Sequence, residues 1–184
     1  MALGLFAQIG LLAQLFSLIV PRLGEGRAGL VMGLATASAI AGRTAFGWFL
    51  SPGANWRGAA ALSYGVQIVG TLLLAMAGAE YTALLVLGVL LFGFGIGNAT
   101  SLLPLVAQAE FIREDVARVV ALIVVIGQAT YAFAPALFGL LRMASDSNGP
   151  PAIGETAAVA GVAALVMLLA IAAFLLGQRR QLQN

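Results

Sequence analysis

The chain has 184 residues, of which 61% are hydrophobic and 9% charged, and its mean hydropathy is +1.03. Soluble domains carry about 25% charged residues, so this sequence cannot cover a water-exposed globule. It has no Cys and no His, and all nine of its cations are Arg. That removes disulfide frameworks, His/Cys zinc sites, thiol nucleophiles and His-based triads. The net charge of +2 is scattered along the chain, with none of the clustering that nucleic acid requires. The bilayer is the solvent to assume.

A membrane helix needs about 20 mostly apolar residues. The places where charge stops and starts mark six such spans. The first, 1–20, is uncharged and ends at Pro21-Arg22. Gln8 lies near its middle. Met1 opens almost directly into this run with no basic residue ahead of it, unlike a signal peptide. It reads as a chain that starts inside a larger architecture. The second span, 28–50, contains Arg43, the only charged residue inside any span. Gly29, Gly33, Ala37 and Ala41 form a small-residue stripe along it, the kind that lets membrane helices approach closely. Thr36 and Ser38 lie near its middle. Trp48 and Trp56 flank the next connection, as interfacial aromatics do.

The third span, 58–79, carries Ser63, Gln67 and Thr71 four residues apart, on one helical face. The fourth, 81–109, contains Gly93-Phe94-Gly95-Ile96-Gly97 followed by Asn98, with Pro104 further on. A dinucleotide loop would follow a strand in a βαβ unit. Inside a long apolar run the glycines read as flexibility or close packing. The fifth span, 119–141, places Gln128 and Tyr131 on one face and Pro135 close behind them. The sixth, 157–177, has no polar residue at mid-depth and reads as peripheral, with Ala157 and Gly161 as a further small-residue pair.

The connections are short, which makes successive helices antiparallel neighbours. The runs are continuous, without the alternation of about 10-residue barrel strands. The expected fold is an all-α membrane protein, one six-helix transmembrane bundle over residues 1–184. Arg57, Arg113, Arg118, Arg179 and Arg180 fall on the side of the termini, against Arg22, Arg27 and Arg142 opposite. The positive-inside rule then puts both termini in the cytoplasm of a cell (inner) membrane.

Arg43 is the sharpest single signal. It lies about 10–12 Å of helix inside its span, and a charge at that depth faces a cavity or a partner. One reading is an anion or gating contact. The other is an Arg that snorkels to the interface and caps a helix C-terminus. Gln8, Asn98, Gln128 and Tyr131 join Arg43 as candidate substrate-binding residues, because transporters bind at the bilayer midplane. The alternative for each is an interhelical hydrogen bond.

The run Gly42-Arg43-Thr44-Ala45-Phe46-Gly47, then Ser51 to Arg57, resembles the motif that major facilitator superfamily transporters carry between their eighth and ninth helices. Leu103 to Glu110, and Gly127 to Gly139 with Ala134-Pro135, resemble that family's tenth and eleventh helices. The resemblance covers the whole chain and implies the C-terminal six-helix half of a transporter. Gly42, Arg43, Gly47 and Arg57 would be its loop motif. Where the family has an Asp and a basic run, this chain has Ser51-Pro52-Gly53 and only Arg57. In that family the counterparts of the first, second, fourth and fifth spans line the cavity. Some anion-carrying members place an Arg where Arg43 stands.

The implied function is alternating-access movement of a small solute, an organic anion being the substrate class that Arg43 suggests. The implied partners are the lipid bilayer, a small-molecule substrate and a second six-helix half, either an N-terminal half or a homodimer partner. No nucleic acid, cofactor, metal or enzymatic activity is expected. The alternative is a non-transporting membrane assembly or regulatory subunit, whose polar groups are consumed in helix contacts.

Overall fold

The computed structural model describes residues 2–49, 55–77, 81–98, 106–108, 112–145 and 154–181. Its major elements are seven α-helices: α1 (Ala2–Leu23), α2 (Glu25–Phe49), α3 (Trp56–Met76), α4 (Thr82–Ile96), α5 (Arg113–Ala132), α6 (Ala134–Ser145) and α7 (Gly154–Gln181). Among the described residues, five stretches are long and apolar enough to cross a membrane: α1, α2, α3, the α5–α6 run Glu114–Ser145, and Thr156–Leu176 within α7. The architecture is that of an all-α membrane protein.

The fourth span is described only in part, over 81–98 and 106–108. Within the apolar span 81–109, α4 is 15 residues long and ends at Ile96, in a turn at Gly97 and Asn98. At 1.5 Å per residue that is about 22 Å, short of a hydrocarbon core of about 30 Å. Three glycines in five positions supply the weak point, since glycine is among the poorest helix formers. Pro104 lies outside the described residues.

The fifth span is also interrupted. Phe133 is a turn residue between α5 and α6. Pro135 is the cause: it has no N–H to offer the Tyr131 carbonyl, and its ring crowds that carbonyl. Gln14 of α1 donates to the Pro135 carbonyl at 3.2 Å, anchoring the break against the bundle.

The first connection is tighter than its composition suggested. α1 runs through Pro21 to Leu23, and α2 begins at Glu25. Gly24 alone makes the corner, with φ +74°, a left-handed conformation in which a side chain is strained. Its N–H closes α1 on the Val20 carbonyl at 2.8 Å, and its carbonyl receives the Ala28 N–H of α2 at 3.0 Å. At the other connection Asn55 caps α3, its side chain accepting from the Gly58 N–H at 3.0 Å.

Packing centres on α1, α3, α4 and α7. α3 lies against both α4 and α7, α2 against α4, and α1 against α7, α5, α6 and α2. The buried face of α1 runs through Gly4, Ala7, Gln8, Leu11, Leu15, Leu18 and Ile19, a stripe at helical spacing. Phe92, Val89 and Leu85 of α4, Phe138 of α6 and Val159 and Met167 of α7 complete the core. Two ring contacts lock neighbours together: Phe6 edge-on to Phe138 at 5.8 Å, and Tyr64 stacked on Phe174 at 6.0 Å.

α2 and α4 approach each other closely. A Cβ on Gly93 would sit 2.5 Å from the Ala35 carbonyl oxygen, and one on Gly97 2.0 Å from that of Ala39. In the other direction, a Cβ on Gly42 would sit 2.1 Å from the carbonyl oxygen of Phe94. The face of α2 that meets α4 is therefore Ala35, Ala39 and Gly42. Gly29, Gly33, Ala37 and Ala41 turn outward, and nothing lies within 4 Å of a Cβ on either of those glycines. Gly161 is open in the same way. Of the small-residue stripes singled out in the sequence, only Gly93 and Gly97 serve a helix interface here.

Candidate functional site

The polar residues gather around the broken end of α4. A helix leaves its last four carbonyls without intrahelical partners, and in a bilayer an unsatisfied carbonyl costs several kcal/mol. Side chains from two neighbours meet that need. Ser63 of α3 donates to the Gly95 carbonyl at 2.7 Å, and Arg43 of α2 donates from Nε to the Gly97 carbonyl at 3.1 Å. One turn earlier, Ser38 of α2 donates to the Leu90 carbonyl at 2.8 Å. The Asn98 N–H turns back on Gly95 at 3.3 Å. This bond puts the Arg43 guanidinium at the negative end of a helix dipole.

A buried chain of amides continues inward from the break. Gln8 Nε2 of α1 donates to Gln67 Oε1 of α3 at 2.8 Å. Gln67 Nε2 donates to the Ser63 carbonyl, one turn back, at 3.2 Å. Thr71 closes the same stretch by donating to the Gln67 carbonyl at 2.7 Å. Gln8, Gln67 and Thr71 are fully buried, and Ser63 is 3% exposed. The path thus runs from Gln8 through Gln67 and Ser63 to Gly95 and Asn98, joining α1, α3 and the end of α4. Two atoms on it are buried without a hydrogen-bond partner: Gln8 Oε1 and Asn98 Nδ2.

The five candidate substrate-binding residues fall into two groups. Gln8 and Asn98 (1% exposed) belong to the buried chain. Arg43 and Gln128 are exposed and Tyr131 is half-buried, on α2 and α5. These are the least enclosed spans: 17% of the α2 window and 11% of the α5–α6 window are buried. Both helices pack on α1, with no extended interface between them among the described residues. In the loop motif, Gly42 is at the α2–α4 contact, Gly47 faces open space, and Arg57 donates through a terminal nitrogen to the Phe174 carbonyl of α7 at 3.2 Å. Ser51, Pro52 and Gly53 lie outside the described residues.

Ser63, Gln67 and Thr71, which were not among the candidate substrate-binding residues, are the centre of the polar chain. Their spacing of four was the available signal. Arg22 was also missed. At the opposite end of the bundle it donates to the Ala77 carbonyl and, at 3.3 Å, to Thr156 Oγ1, tying the ends of α1 and α3 to the start of α7. Among the described residues no three His, Cys, Asp or Glu side chains come together as a metal site would require. Comparison of the chain with family models, with curated proteins and with solved structures returns no match.

Proposed function

We propose that this chain is a six-helix half of a secondary membrane transporter, similar to the C-terminal half of a major facilitator superfamily member. It moves a small solute by alternating access, and organic anions are the first substrate class to test. In this reading the chain crosses the membrane six times, and both termini lie in the cytoplasm of an inner membrane. The observation that carries it is the exposure of Gln128 in the middle of the Glu114–Ser145 run, with Arg43 exposed on α2. Polar groups at membrane depth avoid lipid and face bundle interiors or water-filled cavities. A second six-helix body laid against α2 and α5 encloses both residues in such a cavity. The interrupted helices α4 and α5–α6 fit as well, since transporter sites are built at discontinuous helices.

A second reading has its own support. Gln8 donates to Gln67 and Ser63 to Gly95, while Arg43 donates to Gly97. These bonds support a non-transporting assembly or regulatory subunit, in which polar side chains serve helix contacts.

Single-cysteine labelling separates the two, and the natural sequence has no Cys to interfere. Gln128→Cys and Tyr131→Cys, in sealed membranes, should react with a membrane-impermeant maleimide, while Gln8→Cys stays silent. Failure of Gln128→Cys to label until the membrane is dissolved removes the aqueous cavity and leaves the subunit reading. Uptake of radiolabelled dicarboxylates into proteoliposomes then tests the substrate class.

A further inference from the structure

The structure contains a cavity of about 360 Å3 away from the α4 break, lined by Ala2, Arg57, Val106, Ile123, Ile126, Ala173 and Phe174. Its walls come from the start of α1, the start of α3, the middle of α5 and the last turns of α7. The volume is at the lower end of the range for ligand sites, about 300–1,000 Å3. Among the described lining residues Arg57 is the one charged side chain, and the rest are apolar.

Three features make this a formed groove. First, the Phe174 wall is fixed from both sides: Tyr64 stacks on its ring, and Arg57 bonds its carbonyl. Second, the groove lies between α5 and α7, which share no extended interface among the described residues. α5 leans on α1, whereas α7 leans on α3, α1 and α6. The outer faces beside the gap are apolar, with Leu122 and Val125 exposed on α5 and Leu169 and Leu176 on α7. Third, Arg57 is the second residue of α3, next to Trp56. Aromatic residues at a span end mark the headgroup level, so the guanidinium stands where the apolar groove meets the polar layer.

We infer that this groove is a binding site for an anionic phospholipid, with one acyl chain between α5 and α7 and the phosphate against Arg57. Lipid is the solvent on the open side of the groove, so a chain enters laterally without crossing water. Charge decides among lipids. A guanidinium matches phosphate with directional N–H donors, whereas a zwitterionic headgroup adds a cation beside it. Basic pockets between membrane helices at the headgroup level recognise anionic lipids in this way. The inference needs only membrane embedding and stands whether or not the chain transports anything.

The test uses the purified full chain in mild detergent, with phosphatidylglycerol or phosphatidylcholine of matched acyl chains added stepwise, and native mass spectrometry to count bound lipid. The wild type should retain phosphatidylglycerol about fivefold more tightly, the equivalent of roughly 1 kcal/mol for one Arg near the headgroup layer. Arg57→Gln should abolish that preference, and Arg57→Lys should keep most of it. Ile126→Trp, which fills the groove, should weaken retention of both lipids. Equal retention of the two lipids by the wild type overturns the inference. So does a phosphatidylglycerol preference that survives in Arg57→Gln. Should Arg57→Gln fail to fold, Arg57→Lys and Ile126→Trp decide: loss of preference in the first, or unchanged retention in the second, also overturns it.

Discussion

Arg43 donates from Nε to the carbonyl oxygen of Gly97, 3.1 Å away across the close contact between α2 and α4. The two residues depend on each other. Gly97 has no side chain, so α2 can approach until the Ala39 carbonyl occupies the space a Cβ would take. That approach brings the Arg43 stem beside the broken end of α4. Without the guanidinium the Gly97 carbonyl loses this partner at the end of α4.

The α2–α4 contact should therefore be intolerant of added volume. Gly97→Leu and Gly42→Val force a side chain onto a neighbouring backbone carbonyl, which cannot rotate away. Overpacking of this kind costs about 1–3 kcal/mol and sometimes more. Thermal unfolding in detergent should show a clear loss for both, while Gly29→Ala and Gly33→Ala, which face open space, leave the transition unchanged or slightly raised.

The Gln8–Gln67 pair should show strong non-additivity. Gln8→Leu alone leaves Gln67 Oε1 buried without its donor, at about 1–3 kcal/mol. Gln67→Leu alone strands the Gln8 amide in the same way. Replacing both leaves no orphan at that contact, so the double variant should lose less than the sum of the singles. A double-mutant cycle measured by reversible unfolding reads the coupling directly. Additive losses would mean that the amides are not partners.

Arg43→Gln should act on the end of α4 more than on the bundle. The bonds that close α4 run from the Gly97 N–H to Gly93 and from the Asn98 N–H to Gly95. Loss of the cap should loosen this last turn, raising amide hydrogen exchange at Gly97 and Asn98 several-fold while α3 and α7 stay protected. Arg43→Lys, with a charge but no guanidinium fork, should fall between.

The core of α1 supplies the reference for scale. Leu15 is fully buried in the cluster that joins α1 to its neighbours. Leu15→Ala should cost about 2–5 kcal/mol through the cavity it leaves, far more than removing the exposed Leu30. A loss as small for Leu15→Ala as for Leu30→Ala would contradict the packing described here.

How much of this was legible in the sequence varies by residue. That the elements are apolar helices, and where five of the spans lie, followed from runs of uncharged residues between Arg and acidic clusters. The break in the fifth span was readable from Pro135, because a missing N–H acts locally. The break in the fourth was only half-readable. The glycine run permits it, but the turn at Gly97 exists because Ser63 and Arg43 stand ready to take the freed carbonyls, and those belong to other helices.

The sequence by itself determined the solvent, the secondary structure and the absence of thiol and imidazole chemistry, because each of these is fixed by composition or by neighbours a few positions apart. Only the tertiary structure decided which face of each helix is used. Gly29 and Gly33 have the same spacing as Gly93 and Gly97, yet the first pair faces outward and the second meets α2. Likewise Gln8 and Gln128 are both mid-span amides, one sealed against Gln67 and the other exposed. In a medium as apolar as the side chains themselves, hydropathy does not orient a helix. Close backbone approach and the pairing of polar groups do, and both are relations between residues distant in the chain.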